Sequence, residues 1–263
     1  MENHVFLRYP GSKYRIAPWI CSFMPEHRVY LEPFAGSLAV FFQKPRSKIE
    51  TLNDLNGDVV NFFRMLRDEP DRLREALALT PYAREEYNHA FELSDDPVEQ
   101  ARRFCVRCWM SFNGANKYKN GFRVGQTNNS PSPAENWKNL PKVLYAAAER
   151  LSGVQIECRP AFELIDAYRS PQTVIYIDPP YLVEGKNKYH IGMSKEEHVS
   201  LLEMVAHHPA DILLSAYENP LYDACLLQAG WRKEYIRARK EGGRPCTETL
   251  YMNFEYGQLS LAL

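Results

Sequence analysis

The sequence predicts an α/β protein carrying a mainly helical insertion. Three observations lead there. Short runs rich in β-branched residues alternate with helical patterns towards both ends of the chain. A turn containing Gly36 directly follows the first run and opens a helix, as in a nucleotide-binding βα unit. A mostly helical stretch from about residue 60 to 150 is inserted after the second run.

Each element follows in order. FLRYPGSKYRIAPWI reads as a turn-rich entry and a short helix. Val29, Tyr30 and Leu31 form a buried strand, Pro33 and Gly36 break it, and an apolar helix runs through Phe42. KIETLNDLNGD is a second strand ending at Asn53-Asp54. DVVNFFRMLRDEP places Val59, Val60, Phe63, Met65 and Leu66 on one helical face, and Pro70 stops it. PDRLREALALT, AREEYNHAFEL and PVEQARRFCVRCWMSF continue as helices. Residues 113–137 are rich in glycine and asparagine and read as a loop or hairpin, with bases and aromatics that mark it as functional. VQIEC, TVIYID and DILLSAY are strands, and KEYIRARK and ETLYMNF close the sheet. The division expected is a catalytic domain of residues 1–56 and 151–263 and an inserted domain of residues 57–150.

Composition narrows the class. With 45% apolar and 25% charged residues, the 263-residue chain is neither a disordered nor a fibrous protein. No apolar run approaches the ~18 residues of a membrane span. The N-terminus lacks the ~7–15-residue apolar core of a signal peptide. Six scattered cysteines read as reduced thiols of a cytoplasmic protein. Cys105 and Cys108, a lone CxxC on a helix, are packing thiols rather than half of a zinc site, so no metal is expected. The net charge of −1 hides an asymmetry. Residues 51–100 carry five bases and twelve acids, a net of −7; residues 101–150 carry nine bases and two acids, a net of +7. The basic segment is a candidate anion-binding face.

Four short motifs carry chemistry. Asp178-Pro179-Pro180-Tyr181 directly follows the apolar strand TVIYI, at the carboxyl end where open α/β sheets bind ligands. Asp178 can accept from an exocyclic amine, the prolines present carbonyl acceptors on a stiff backbone, and Tyr181 offers a flat face for a base. Glu32-Pro33-Phe34-Ala35-Gly36-Ser37 sets a glycine turn and a helix start beside the polar end of a cofactor. Asp54, ending the second strand, can hold a ribose diol. Arg8-Tyr9-Pro10-Gly11-Ser12-Lys13 brings an aromatic and a cation around a tight turn.

In order and spacing the four resemble the Dam-like (D12 class) adenine-N6 DNA methyltransferases, which use S-adenosylmethionine. The resemblance spans nearly the whole chain and is closest in 6–66 and 173–205. It implies a Rossmann-like methyltransferase fold, with a seven-stranded, mostly parallel sheet whose last strand is antiparallel, plus an inserted helical target-recognition domain. It also implies Tyr9, Lys13, Glu32, Phe34, Gly36, Asp54, Phe162 and Asp178 as cofactor contacts and Asp178 through Tyr181 as the catalytic loop. The basic segment and the loop within it, whose Asn113-Gly114-Ala115-Asn116-Lys117 resembles the family's recognition-hairpin turn, point to Arg107, Asn113, Lys117, Lys119, Arg123 and Asn128 for DNA. Three positions depart from the family pattern. Leu38 stands where a second glycine is common, and Ala161-Phe162 where many members have Asp-Phe. Lys117 stands where enzymes reading GATC have arginine, so GATC is not carried over.

The expectation is site-specific methyl transfer from S-adenosylmethionine to adenine N6 in double-stranded DNA, with the target base flipped from the helix. The partner is DNA, with neither membrane nor metal, for a cytoplasmic monomer or homodimer in a bacterium or a phage-infected cell. Cytosine-N4 methylation uses the same amine geometry, but those enzymes usually carry serine in place of Asp178. A nucleic-acid-binding protein that has lost its cofactor is the other alternative, with Leu38 and Ala161 in its favour. An RNA adenine methyltransferase is disfavoured by the inserted domain.

Overall fold

The computed structural model describes residues 5–114, 117–125, 132–182, 192–239 and 245–255. Seven strands form one sheet: β1 (Val29–Glu32), β2 (Ile49–Asn53), β3 (Gln155–Glu157), β4 (Thr173–Ile177), β5 (Asp211–Tyr217), β6 (Arg232–Arg239) and β7 (Pro245–Met252). Their spatial order is β3-β2-β1-β4-β5-β7-β6. Strands β1 to β5 pair in parallel, with Leu31 set between Thr51 and Ile175. β7 runs antiparallel to both β5 and β6. This is the sheet of the methyltransferase fold that the resemblance implies.

The helices are α1 (Ala17–Cys21), α2 (Ala39–Gln43), α3 (Gly57–Asp68), α4 (Pro70–Leu79), α5 (Arg84–His89), α6 (Pro97–Met110), α7 (Pro133–Leu151), α8 (Ala161–Ala167), α9 (Lys195–Val205) and α10 (Pro220–Tyr222). Their starts are written in the sequence. Asn56 caps α3, Asp96 caps α6 ahead of Pro97, Ser132 caps α7 ahead of Pro133, and Ser194 with Glu197 forms a capping box on α9. Pro70 ends α3 and also opens α4, because a proline lacks only an N–H that the first turn does not use. The irregular section expected over 113–137 is therefore shorter, since its last five residues already belong to α7.

β4 shows why its residues read as one apolar run. All five are buried, Val174 and Tyr176 on one face and Ile175 and Ile177 on the other. The Ile175 face packs with α8, α9 and Trp231. The Val174 face shares one contiguous cluster with the helical insertion, from Tyr30 and Phe41 to Phe62, Phe104 and Trp137. A buried ionic group ties the end of the insertion to β2: Lys44 and Arg150 both donate to Glu50. Burial alone would raise the Glu50 carboxyl, but the two cations hold it down to about 2.

The N-terminal segment also touches the insertion. Trp109 Nε1 donates to the Phe6 carbonyl at 3.4 Å, and the Arg8 guanidinium lies 5.8 Å from the Trp109 ring centre. Gly114, at φ +66°, comes so close that a Cβ there would stand 3.2 Å from the Arg8 carbonyl oxygen.

Candidate active site

Between β1 and β4 the order of connection reverses, since the chain leaves β1 towards β2 and β3 but leaves β4 towards β5. Such a switch point opens a crevice at the carboxyl ends of the strands. A cavity of about 190 Å³ lies there. Its walls are the N-terminal turn, the turn after β1, the turn after β2, the start of α8 and the loop after β4. Tyr9, Lys13, Glu32, Phe34, Gly36, Asp54, Phe162 and Asp178 all line it.

Asp178 directly follows β4 and meets Lys13 Nζ at 3.0 Å. Lys13 also donates to the Gly11 carbonyl at 2.8 Å, so its own tight turn aims it. Burial pushes the Asp178 carboxyl up to about 6, and Lys13 opposes that rise. For Lys13 burial acts downward, but Asp178 and Glu248 outweigh it and hold the ammonium pKa above its ordinary value.

The turn after β1 is held from two sides. Asp54 Oδ2 accepts from Gly36 N at 2.8 Å, while Oδ1 accepts from Asn56 N at 2.9 Å. Each oxygen keeps a lone pair for a diol. Burial pushes Asp54 up to about 6, against those two amides. Gly36 sits at φ +48°, and a Cβ there would stand 3.3 Å from the Tyr9 ring. Asn53 staples three segments: its amide donates to the carbonyls of Pro33 and Arg159, and its oxygen accepts from Arg159 N. Ser37 and Ser12 join the first two turns at 2.8 Å. On the floor, the Tyr30 hydroxyl donates to Glu32 at 2.7 Å. Burial raises the Glu32 carboxyl to about 8, so it is largely protonated at neutral pH.

The loop expected to be catalytic is divided. Asp178 and Pro180 line the cavity, whereas Pro179 and Tyr181 do not. The Tyr181 ring is 5% exposed. Lys13 Nζ lies over it at 4.5 Å, Tyr217 meets it edge-on at 4.5 Å, and its hydroxyl donates to Glu248 at 2.8 Å. Sequence reasoning missed Glu248 and Tyr217. The signal for Glu248 was an acid inside a strand of otherwise apolar character, TETLYM. Asn53 was read only as the neighbour of Asp54.

The departures are placed as well. Leu38 is the only non-glycine residue with positive φ among the described residues, at +55°. Its side chain is fully buried beside Leu52, Val59 and Phe63, and it does not line the cleft. Ala161 lines the cavity at the start of α8 and offers no side-chain acceptor.

The basic segment is less free than its charge suggests. Arg107, expected to contact DNA, is instead buried, donating to Asp58 and to the Ala90 carbonyl. A helix position facing the shared core cannot reach a phosphate. Arg102 and Arg103 pair with Glu99, and Arg102 with Glu86 too. Arg150 belongs to the Glu50 group. Facing outward are Lys138 and Lys142 on α7 and the hairpin after α6, closed by Phe112 N to the Gly121 carbonyl and Arg123 N to the Met110 carbonyl. Lys117 and Lys119 are exposed on the hairpin, and Arg123 is half-buried. Asn113 lies in a 3-10 turn at its base. Asn128 falls outside the described residues.

Cys105 and Cys108 are buried in α6, and burial pushes the Cys105 thiol well up. Among the described residues no three His, Cys, Asp or Glu side chains converge as metal ligands would, and no helix is long and apolar enough to cross a membrane.

Comparison with known proteins gives the family. A Type II methyltransferase of Lactococcus lactis subsp. cremoris, M1.LlaDCHI, is 29% identical over 219 residues, 74% of each chain. The Type II methyltransferase M.MjaIII of Methanocaldococcus jannaschii is 29% identical over 69% of this chain and 70% of its own. The DNA adenine methylase of Vibrio cholerae is 30% identical over 68% of this chain and 66% of its own. Among solved structures, the putative methyltransferase yhhF of Escherichia coli aligns with 91% of this chain and 80% of its own, at 13% identity and a TM-score of 0.35. The family model of the D12 class N6 adenine-specific DNA methyltransferases matches residues 9–234, from the N-terminal turn to β6. With that match covering most of the chain, the chain belongs to the D12 class of N6 adenine-specific DNA methyltransferases.

Proposed function

We propose that this chain methylates the N6 amine of an adenine in double-stranded DNA, with S-adenosylmethionine as donor. The observation that carries the reading is Asp178, paired with Lys13 at the end of β4, on the wall of a cavity shared by all the residues expected to hold the cofactor.

The residues present fit that cofactor. Gly36 lets its turn lie against the Tyr9 ring on the cavity wall, Phe34 and Phe162 offer apolar surface, and Asp54 retains acceptor capacity. When bound, S-adenosylmethionine supplies the electrophilic methyl group. The chain's own residues do the positioning. Asp178 and the Pro179 carbonyl accept the amine hydrogens of a flipped base and fix the direction of its nitrogen lone pair. The Asp178 carboxylate meets an amine that grows more positive, so its grip is strongest in the transition state. Tyr181, behind the cavity wall in this structure, is the ring proposed to stack on the base. Lys117, Lys119 and Arg123 meet phosphates and base edges from the hairpin. Residues 1–56 and 151–263 act as the catalytic domain and 57–150 as the recognition domain, in the cytoplasm where DNA is available. Ala161 would offer the adenine amine of the cofactor no side-chain acceptor.

Long-read modification mapping of DNA from cells expressing the chain tests this. N6-methyladenine in one recurring sequence is expected. Modified cytosine instead, or unmodified DNA from cells with abundant folded protein, would overturn it.

A further inference from the structure

The antiparallel strand β7 does more than close the sheet. It pairs Glu248 with Tyr217 at the end of β5 and with Ile236 of β6. Residues directly opposed across antiparallel strands project to the same face, so Glu248 and Tyr217 form one wall. Tyr181 rests on that wall at two points, edge-on to the Tyr217 ring at 4.5 Å and by its hydroxyl to Glu248 Oε2 at 2.8 Å. Lys13, 4.5 Å from the ring centre, covers one of its faces. The Glu248 carboxylate is itself 9% exposed, an acid withdrawn from water into a tyrosine contact. A buried carboxylate is costly unless it serves a partner, and hydrogen bonds to a charged acceptor are the strong ones. Three ties from three separated parts of the chain thus fix a single ring.

We propose that Glu248 is a positioning residue for the target-base pocket, holding the Tyr181 ring by its hydroxyl in the plane against which the base stacks. This rests on the reading of Tyr181 as the stacking residue. A phenol ring free to turn would lose ordering entropy each time a base arrived; a ring already held does not. Glu248 touches neither base nor cofactor in this scheme; its contact is with Tyr181, and its charge also reaches Lys13 and Asp178.

The test compares E248A, E248Q, Y181F and Y181A with the double variant Y181F/E248A. Single-turnover transfer of labelled methyl to duplex DNA is measured alongside cofactor affinity by calorimetry. E248A is expected to transfer roughly ten- to a hundredfold more slowly at saturating DNA. Its cofactor affinity should stay within about twofold of wild type. E248Q keeps an oxygen acceptor for the hydroxyl and should recover most of the rate. Y181F removes the same hydrogen bond from the other side, so the double variant should be no slower than the slower single one. Wild-type transfer by E248A overturns the proposal, as do losses that multiply in the double variant. Loss of cofactor affinity in step with rate also overturns it, by moving Glu248 into the cofactor site or the fold. Wild-type transfer by Y181A breaks the stacking reading itself; an inactive Y181A beside an intact E248A breaks only the role of Glu248.

Discussion

The ammonium of Lys13 lies 3.0 Å from the carboxylate of Asp178, so the first turn of the chain sets the charge of a loop far along it. Asp178 accepts amine hydrogens only when ionised, and burial has raised its pKa to about 6. The transfer rate should therefore rise with pH through about 6 and level off above it. Lys13→Met removes the opposing cation but leaves burial and Glu248, both of which act upward. An upward move of about 1–3 pH units in the midpoint and a rate at pH 7 lower by roughly tenfold are expected. A single-turnover pH profile with an unmoved midpoint would show that Lys13 does not control this ionisation.

Asp54 holds two amides and is the acceptor proposed for the ribose hydroxyls. Asp54→Ala removes that acceptor and frees the amides of Gly36 and Asn56 together. Cofactor affinity should fall about ten- to a hundredfold. Calorimetry with S-adenosylmethionine reads it, and unchanged affinity removes Asp54 from the site.

Leu38 sets backbone strain against burial. Leu38→Gly relieves a left-handed φ worth about 1–2 kcal/mol but loses a fully buried side chain whose truncation costs about 2–5 kcal/mol. A net destabilisation of roughly 1–3 kcal/mol follows, with cofactor affinity unchanged because the side chain lies off the cleft. Urea unfolding together with calorimetry separates the two; a more stable variant would mean that strain dominates.

Arg107 and Lys119 should part in their salt dependence. Lys119→Ala should lower the salt slope of DNA binding by about one unit if it meets a phosphate. Arg107→Ala should leave the slope alone and destabilise the fold by roughly 2–3 kcal/mol, less than a fully buried pair because Asp58 keeps some contact with water. Binding isotherms at four salt concentrations decide it. A slope changed by Arg107→Ala would return that residue to the DNA face.

Glu32 makes stability depend on pH. Its carboxyl titrates at about 8 in the fold against an ordinary 4.5. Between those values the folded chain holds a proton that the unfolded chain has released, so stability falls as pH rises through that window. Relative to Glu32→Gln, the wild type should lose at most about 1.4 kcal/mol per pH unit there. Melting temperatures of both proteins from pH 5 to 8 give the difference; parallel curves would mean that Glu32 titrates normally.

Strand and helix types were legible because periodicity is local: β4 reads as one apolar run since both of its faces are covered. The cleft residues were legible through turns, where Gly11, Gly36 and the two prolines leave a mark in the sequence. Glu248 was not, because its meaning comes from a cross-strand neighbour and a loop far away in the chain. Arg107 was misread for a related reason. The +7 of residues 101–150 counts charges without their partners, and Asp58, Glu99, Glu86 and Glu50 come from outside that segment or from its helical neighbours.

The contact between the N-terminal segment and the insertion bears on how such enzymes can be re-engineered. Residues 57–150 suggest themselves as a cassette to exchange between relatives of different sequence preference. Yet Phe6 and Arg8 pack on Trp109, and a Cβ at Gly114 would crowd the Arg8 carbonyl. A transplanted cassette would meet a foreign leading segment at the very stretch that goes on to deliver Tyr9 and Lys13 to the cleft. The exchangeable unit is therefore discontinuous, and a chimera should carry residues 5–13 with the insertion whose surface they match.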